Sequence, residues 1–308
     1  MDKLPKIIAI VGPTASGKTA LGLDMAKKFN GEIISADSRQ IYKKMDIGTD
    51  KPDGVWQKFE GGEAYFVEGV PHYLIDIIDP GQDFSLADFK ELTKKHINDI
   101  LKRGKLPIIV GGTGLYFQSV IDNLDIPEIA PNKKLRQELE TKSSEELLEL
   151  LKKLDEETYK KIDLKNPRRV IRALEVVILT GESFVKQQTK SKPEYDCLQI
   201  GIKRDREELY ERINKRVDDQ YVRGLLDEVE NLIKQKYGWQ LSSMTGIGYK
   251  QIGYYLRGEM GLDEAKEILK RDTRHYAKRQ LTWFKRDERI NWIREKKEAE
   301  KLIEEFIK

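Results

Sequence analysis

The stretch GPTASGKT, Gly12–Thr19, stands between the apolar run IIAIV and the segment ALGLDMAKKF. Its spacing, G-x-x-x-x-G-K-T, is that of a phosphate-cradling loop. Gly12 and Gly17 let the backbone wrap around oxygens with its N–H groups turned inward, in conformations that a Cβ obstructs. Lys18 adds a point charge. Thr19 opens a helix whose N-terminus carries partial positive charge and whose hydroxyl can hold Mg²⁺. The flanks agree, because IIAIV reads as a buried parallel strand and Leu21, Met25 and Phe29 recur at helical spacing behind the loop. A chance glycine turn lacks this context of strand before and helix after. The loop leaves open whether one phosphoryl group is transferred or linked phosphates depart together.

Working outward, Ile33 and Ile34 of GEIISADSRQIY form a second strand, with Asp37 just past its end. In a doubly wound α/β sheet ligands gather outside the carboxyl ends of the strands, so Asp37 is expected to face whatever occupies the loop. The competing reading is a turn or cap aspartate, which the adjacent Ser38 favours. A third unit begins at Asp83. Ser85 caps a helix through Arg103, LPIIV is the strand, and GGTGLYF turns into another helix at the same sheet edge. LPIIV runs into Gly111 and Gly112 with no acidic residue of the kind that helps hold Mg²⁺ in many P-loop NTPases, which weakens a nucleotide-hydrolase reading. Residues 53–69 read as a β-hairpin with Gly61 and Gly62 at its turn.

From about Pro127 the texture changes. Leu135, Leu139, Leu147, Leu148, Leu151 and Leu154 mark amphipathic helices with no strand between them. A helical insertion is expected over 123–199, with LQIGIKR returning to the sheet, so that 1–122 and 200–308 form the P-loop core. Arg204, Arg206, Arg212 and Arg216 follow that strand; most arginines on such a helix pair with neighbours such as Glu208 or Asp219, leaving one or two for phosphates. Further on, RDTRHYAKRQLTWFKRDERINW sets Arg271, Lys278 and Lys285 seven apart with Arg274 beside them, while Tyr276, Leu281 and Phe284 can turn inward. Such a stripe suits a nucleic-acid backbone, with His275 able to stack or bond nearby, although a solvated helix face looks the same. NPRRVIRAL adds Arg168, Arg169 and Arg172 at another helix start. Two basic clusters beside a phosphate loop favour nucleic acid.

At 308 residues the chain has room for two domains, and its net charge of +3 assigns no partner. Cys197 is the only cysteine, which removes disulfide frameworks and cysteine zinc sites and suits a reducing compartment. No apolar run reaches membrane-spanning length, and MDKLPKIIAIVG enters a strand without the layout of a signal peptide. A cytoplasmic protein is expected.

Together these segments resemble the tRNA dimethylallyltransferases, or tRNA isopentenyltransferases, which prenylate an adenine beside the anticodon. The resemblance rests on GPTASGKT, SADSRQIYKKMDIGTDKP, GVPHYLIDIIDP, DFSLADFK, LPIIVGGTGLY, NPRRVIRALEV, TGIGYKQ and RHYAKRQLTWFKRD, which cover nearly the whole chain in family order. The linker at 53–69 is longer than the family's usual one, and the zinc-finger extension of some eukaryotic relatives has no counterpart. The resemblance implies an α/β fold, a P-loop NTPase-like doubly wound parallel sheet with an α-helical insertion domain that grips the anticodon stem-loop. It implies that dimethylallyl diphosphate, not ATP, occupies the loop, with Gly12, Pro13, Thr14, Ala15, Ser16, Gly17, Lys18 and Thr19 around the diphosphate and Mg²⁺ on Thr19. The diphosphate leaves, and the dimethylallyl group passes to the exocyclic N6 amine of the adenine 3′-adjacent to the anticodon. By the same resemblance Thr14 and Arg216 touch the donor and Asp37 takes the proton from the amine, whose lone pair is delocalised into the ring and needs a positioned base. The adenine must leave its stack. The implied tRNA contacts are Asp37, Ser38, Arg39 and Gln40, then Thr113, Arg136, the run Arg168, Arg169, Val170, Ile171 and Arg172, the stretch from Thr245 to Lys250, and the stretch from Arg274 to Gln280 that includes Lys278 and Arg279. A monomer is expected.

Without the resemblance, the residues also admit a P-loop kinase for a small metabolite or nucleotide, with Asp37 as its base, and a noncatalytic RNA-binding NTPase. An isopentenyltransferase for free adenine nucleotides shares the loop and the aspartate but has less need of a basic helical insertion.

Overall fold

The structure is a computed structural model that describes residues 3–127, 129, 132–187 and 189–308. In chain order it runs β1 (Lys6–Val11), α1 (Lys18–Lys28), β2 (Gly31–Ala36), β3 (Val55–Phe59), β4 (Gly62–Val67), β5 (Val70–Tyr73), α2 (Leu86–Lys102), β6 (Leu106–Gly111) and α3 (Gly114–Ile121). Four helices follow, α4 (Lys133–Glu140), α5 (Ser144–Leu154), α6 (Glu156–Lys161) and α7 (Pro167–Thr180). The chain ends with β7 (Asp196–Ile202), α8 (Arg206–Val222), α9 (Leu225–Lys234), α10 (Tyr249–Leu256), α11 (Leu262–Phe284), β8 (Ile290–Ile293) and α12 (Lys296–Ile307). It divides into two compact units, Met1–Val120 with Glu194–Lys308, and Ile121–Pro193.

The first unit holds an eight-stranded sheet in the order β3-β4-β5-β2-β6-β1-β7-β8. From β5 to β8 neighbouring strands are parallel, and β3, β4 and β5 form an antiparallel meander. Ile7 through Val11 are completely buried, as a central parallel strand covered on both faces requires. The register then places the site. Val11 and Ala36 both pair with Gly111, so β1, β6 and β2 end level and Gly12, Gly112 and Asp37 emerge side by side. With β6 inserted between β1 and β2, this is the switch point at which doubly wound sheets bind ligands. The α1 face is sealed by Leu21, Leu23 and Met25 packed over Ile8, Ile10, Ile33 and Val110.

The expected hairpin is present as β3 and β4, and it extends the main sheet, because β4 pairs with β5 and β5 with β2. Ser85 caps α2 as expected: its hydroxyl accepts from Asp88 N at 3.1 Å while the Asp88 carboxylate accepts from Ser85 N at 2.7 Å. One boundary is corrected. Hydropathy ends the insertion at 199, whereas β7 begins at Asp196, which already pairs with Lys6. The strand opens with exposed and half-buried residues, Asp196 to Leu198, and so has no apolar start for hydropathy to detect.

The second unit packs Leu139, Leu147, Leu151, Val170, Leu174 and Phe184 into a core of its own. Glu175 is buried in this unit, with no exposed surface. Its carboxylate accepts from Arg136 at 2.9 and 2.7 Å, from Arg172 at 2.5 Å and from Asn132 N at 2.6 Å. Burial opposes the charge, but these donors outweigh it and hold the Glu175 carboxyl below the usual range.

Candidate active site

The loop after β1 has the backbone its glycines foreshadow. Gly17 takes a φ of 94°, Ala15 is left-handed as well at 61°, and a Cβ on Gly12 would stand 2.8 Å from Ser16 Oγ. Support comes from far along the chain. Gln280 of α11 accepts from Thr14 N at 2.9 Å through Oε1 and donates to Gly112 O at 2.9 Å through Nε2, splicing the two glycine turns together. Because β7 lies beside β1, its continuation delivers arginines to the loop: Arg204 Nε donates to Ser16 O at 3.2 Å and Arg212 Nε to Ala15 O at 3.1 Å. Both buttress the backbone. Arg216 differs, since its Nη1 donates to Thr14 Oγ1 at 2.6 Å from the cavity wall. Arg206 lies over the Tyr210 ring, 5.2 Å from its centroid.

Lys18 Nζ donates to Pro13 O at 3.3 Å. Burial pulls its pKa down to about 8; Asp37 and Asp50 favour the charged form, and Arg216 opposes it. At neutral pH a lysine so placed is still mostly charged, and an arriving anion favours that form further. Thr19, in the first turn of α1, lines the same cavity, and its hydroxyl makes no hydrogen bond among the described residues.

That cavity has a volume of about 1100 Å³, with Thr14, Lys18, Asp37, Arg216 and Tyr276 on its walls. Asp37 Oδ1 accepts from Arg39 N at 2.9 Å, so the turn role is real. Its Oδ2 has no hydrogen-bond partner among the described residues, so one carboxylate both shapes the turn and lines the cavity. The turn itself is clamped: Ser38 N donates to Thr113 Oγ1 at 3.2 Å, Thr113 N to Ala36 O at 3.2 Å, and Gln40 Nε2 to Asp50 O at 3.0 Å. Burial, with the nearby Asp37 charge, pushes the Tyr276 phenol up to about 12, which keeps it neutral.

The implied tRNA set separates by burial. Lys250, Lys278 and Arg279 are exposed, as are His275 and Lys285, and Arg39 and Thr245 lie at the cavity. Arg274 is half-buried and donates to Asn214 Oδ1 at 2.6 Å, while Gln280 is engaged at both ends by the glycine turns. In the second unit Arg168 and Arg169 are exposed cations with no side-chain partner among the described residues, Val170 and Ile171 are core residues, and Arg136 and Arg172 are bound to Glu175. Val170 and Ile171 thus pack in the core of their unit, and Gln280 supports the loop from the cavity wall. A stretch carried over whole takes in positions that helical periodicity turns inward. Asp50, Arg223 and the splice by Gln280 are the features that sequence reasoning missed; only the spacing of Arg216 and Arg223, seven apart on one helix face, hinted at them.

A glycine loop at the switch point of a parallel sheet, ringed by cations and facing a carboxylate, defines a P-loop α/β protein with the geometry of an anion-binding loop. Residues 40–287 match the IPP transferase family and residues 5–68 the isopentenyl transferase family. The chain belongs to the IPP transferase family, and it is an enzyme of that prenyl-transferring class. The tRNA dimethylallyltransferase of Acetivibrio thermocellus is 50% identical over 297 residues, covering 94% of this chain and 92% of the relative. A solved full-length tRNA isopentenylpyrophosphate transferase from Bacillus halodurans is 40% identical with a TM-score of 0.69, covering 98% of this chain and 95% of the other. A eukaryotic dimethylallyltransferase solved acting on tRNA is 29% identical with a TM-score of 0.72, covering 91% of this chain and 69% of the other. Among the described residues no helix is long and apolar enough to cross a membrane.

Proposed function

We propose that the protein transfers the dimethylallyl group of dimethylallyl diphosphate to the exocyclic N6 amine of the adenine 3′-adjacent to the anticodon in tRNA, releasing diphosphate, as a cytoplasmic monomer. The observation that carries this reading is the available Asp37 oxygen in the same cavity as Lys18, Arg216 and the phosphate loop. The names of the relatives support it. The N6 lone pair forms the carbon–nitrogen bond as the allylic carbon–oxygen bond breaks, that bond's electron pair leaves on diphosphate, and Asp37 takes the amine proton. Lys18, Arg216 and the loop N–H groups meet the charge that grows on the departing diphosphate, so they act most strongly in the transition state.

Mg²⁺ fits the residues present, since Thr19 offers an unengaged hydroxyl beside the loop and this ion commonly takes one protein oxygen together with phosphate oxygens and water. When bound there it supplies further positive charge to the diphosphate.

Purified protein given bulk tRNA with labelled dimethylallyl diphosphate, and separately with labelled ATP, tests the reading. Label from the prenyl donor is expected in tRNA adenosine and none from ATP; phosphate label transferred from ATP, or no transfer from either, overturns it. A second measurement concerns the basic stripe. Replacing Lys278 and Lys285, both exposed on the stripe, by Glu should reduce the slope of log affinity for tRNA against log salt by about 1.5, as expected for roughly two lost phosphate contacts. Affinity for the prenyl donor should not change. An unaltered slope would assign the stripe to a solvated face.

A further inference from the structure

We propose that Asp50 competes with diphosphate for Arg216, and thereby sets how tightly the prenyl donor is held and how quickly diphosphate leaves. The inference rests on the reading that the loop holds diphosphate. Asp50 Oδ2 lies 3.4 Å from Arg216 Nη1 and its Oδ1 lies 3.4 Å from Arg223 Nη1, while the same Arg216 nitrogen donates to Thr14 Oγ1 at 2.6 Å. Arg216 is thus shared between the phosphate loop and a carboxylate that lines the same cavity. The carboxylate is not a wandering surface group. Asp50 sits in the left-handed region at a φ of 53°, with its N–H donating to Ile47 O at 3.1 Å and its carbonyl accepting from Gln40 Nε2 at 3.0 Å. The backbone therefore holds a negative charge beside the residue that an anionic ligand needs.

Both ion pairs are long and half-exposed, so each is weak and displaceable. A diphosphate carries more charge than a carboxylate and meets Lys18 and the loop N–H groups as well, so it can take Arg216 from Asp50. The displaced carboxylate then stands near the bound anion and repels it. On departure Arg216 returns to Asp50, so the empty state is stabilised relative to the loaded one. An enzyme that must release diphosphate in every cycle gains from such a competitor.

Asp50→Asn tests this with little risk to folding, because Asn matches Asp in size and tolerates left-handed φ. Calorimetry with inorganic diphosphate, with and without Mg²⁺, should show binding about tenfold tighter than in the unaltered protein, with dissociation slowed by a similar factor. Asp219→Asn is the charge control. Asp219 lines the same cavity, but its carboxylate is held by Lys215 at 2.8 Å, so its effect should stay below about threefold. In an Arg216→Gln background the gain from Asp50→Asn should also shrink below about threefold. Unchanged affinity overturns the proposal, as does equal tightening by both aspartate variants, which would reduce the effect to general electrostatics. Weaker binding confined to the Mg²⁺ arm overturns it too and assigns Asp50 to the cation. If diphosphate binds the unaltered protein and Lys18→Ala no better or worse than each other, the donor-site reading itself fails, a result separate from any outcome at Asp50.

Discussion

Asp37→Asn should bind both substrates and lose a factor of about 10² to 10⁴ in single-turnover rate, the usual worth of general base catalysis. The geometry makes this substitution informative. Oδ1 of Asp37 accepts from Arg39 N at 2.9 Å, and an Asn carbonyl oxygen can keep that bond, so the turn survives while the proton acceptor is lost. Raising the pH should not restore the rate, since no carboxylate is left to ionise. Asp37→Ala loses the turn bond as well and should cost about 1 kcal/mol of stability in addition, as a lost cap does. The measurement is a rapid-quench single turnover at saturating donor and tRNA, with melting curves alongside. A folded Asn variant at near the normal rate would remove Asp37 as the base and leave it only its turn role.

Lys18→Ala should lower turnover by about 10² to 10³, the range for one removed oxyanion donor, and weaken donor binding by less, because the charge matters most as the diphosphate departs. tRNA affinity should persist. The depressed pKa adds a pH signature. Below pH 8 the ammonium is already charged when the donor arrives; above 8 it is mostly neutral, and binding must then take up a proton. Donor affinity should therefore fall as pH rises through about 8, approaching tenfold per unit, until the pKa of the loaded state is reached. Lys18→Arg, charged throughout this range, should lack that fall. Full turnover of Lys18→Ala at saturating donor would move the diphosphate off this loop.

The strand, loop and helix around Gly12–Thr19, the position of Asp37 past β2, the cap at Ser85 and the hairpin of β3 and β4 were all legible from neighbouring residues. Each depends on interactions within a few positions: a glycine where φ is positive, a hydroxyl three residues before its N–H, an apolar run bounded by turns. The family's site residues were nameable from motifs, but their division into available and occupied groups was not. Nothing local marks Arg136 as the partner of Glu175, 39 residues further on, or Gln280 as the splice for a loop 266 residues earlier. Likewise, choosing Arg216 over Arg204 and Arg212 on chemistry alone needed the placement of β7 against β1, which sends two of these guanidiniums to backbone carbonyls and one to a cavity-lining hydroxyl. The sequence by itself determined the local conformations and the chemical types at the site, because steric and hydrogen-bonding preferences act over one turn of chain. Only the tertiary structure decided which charges face each other across the cavity, because strand order and register bring together residues whose separation in sequence carries no record of that contact.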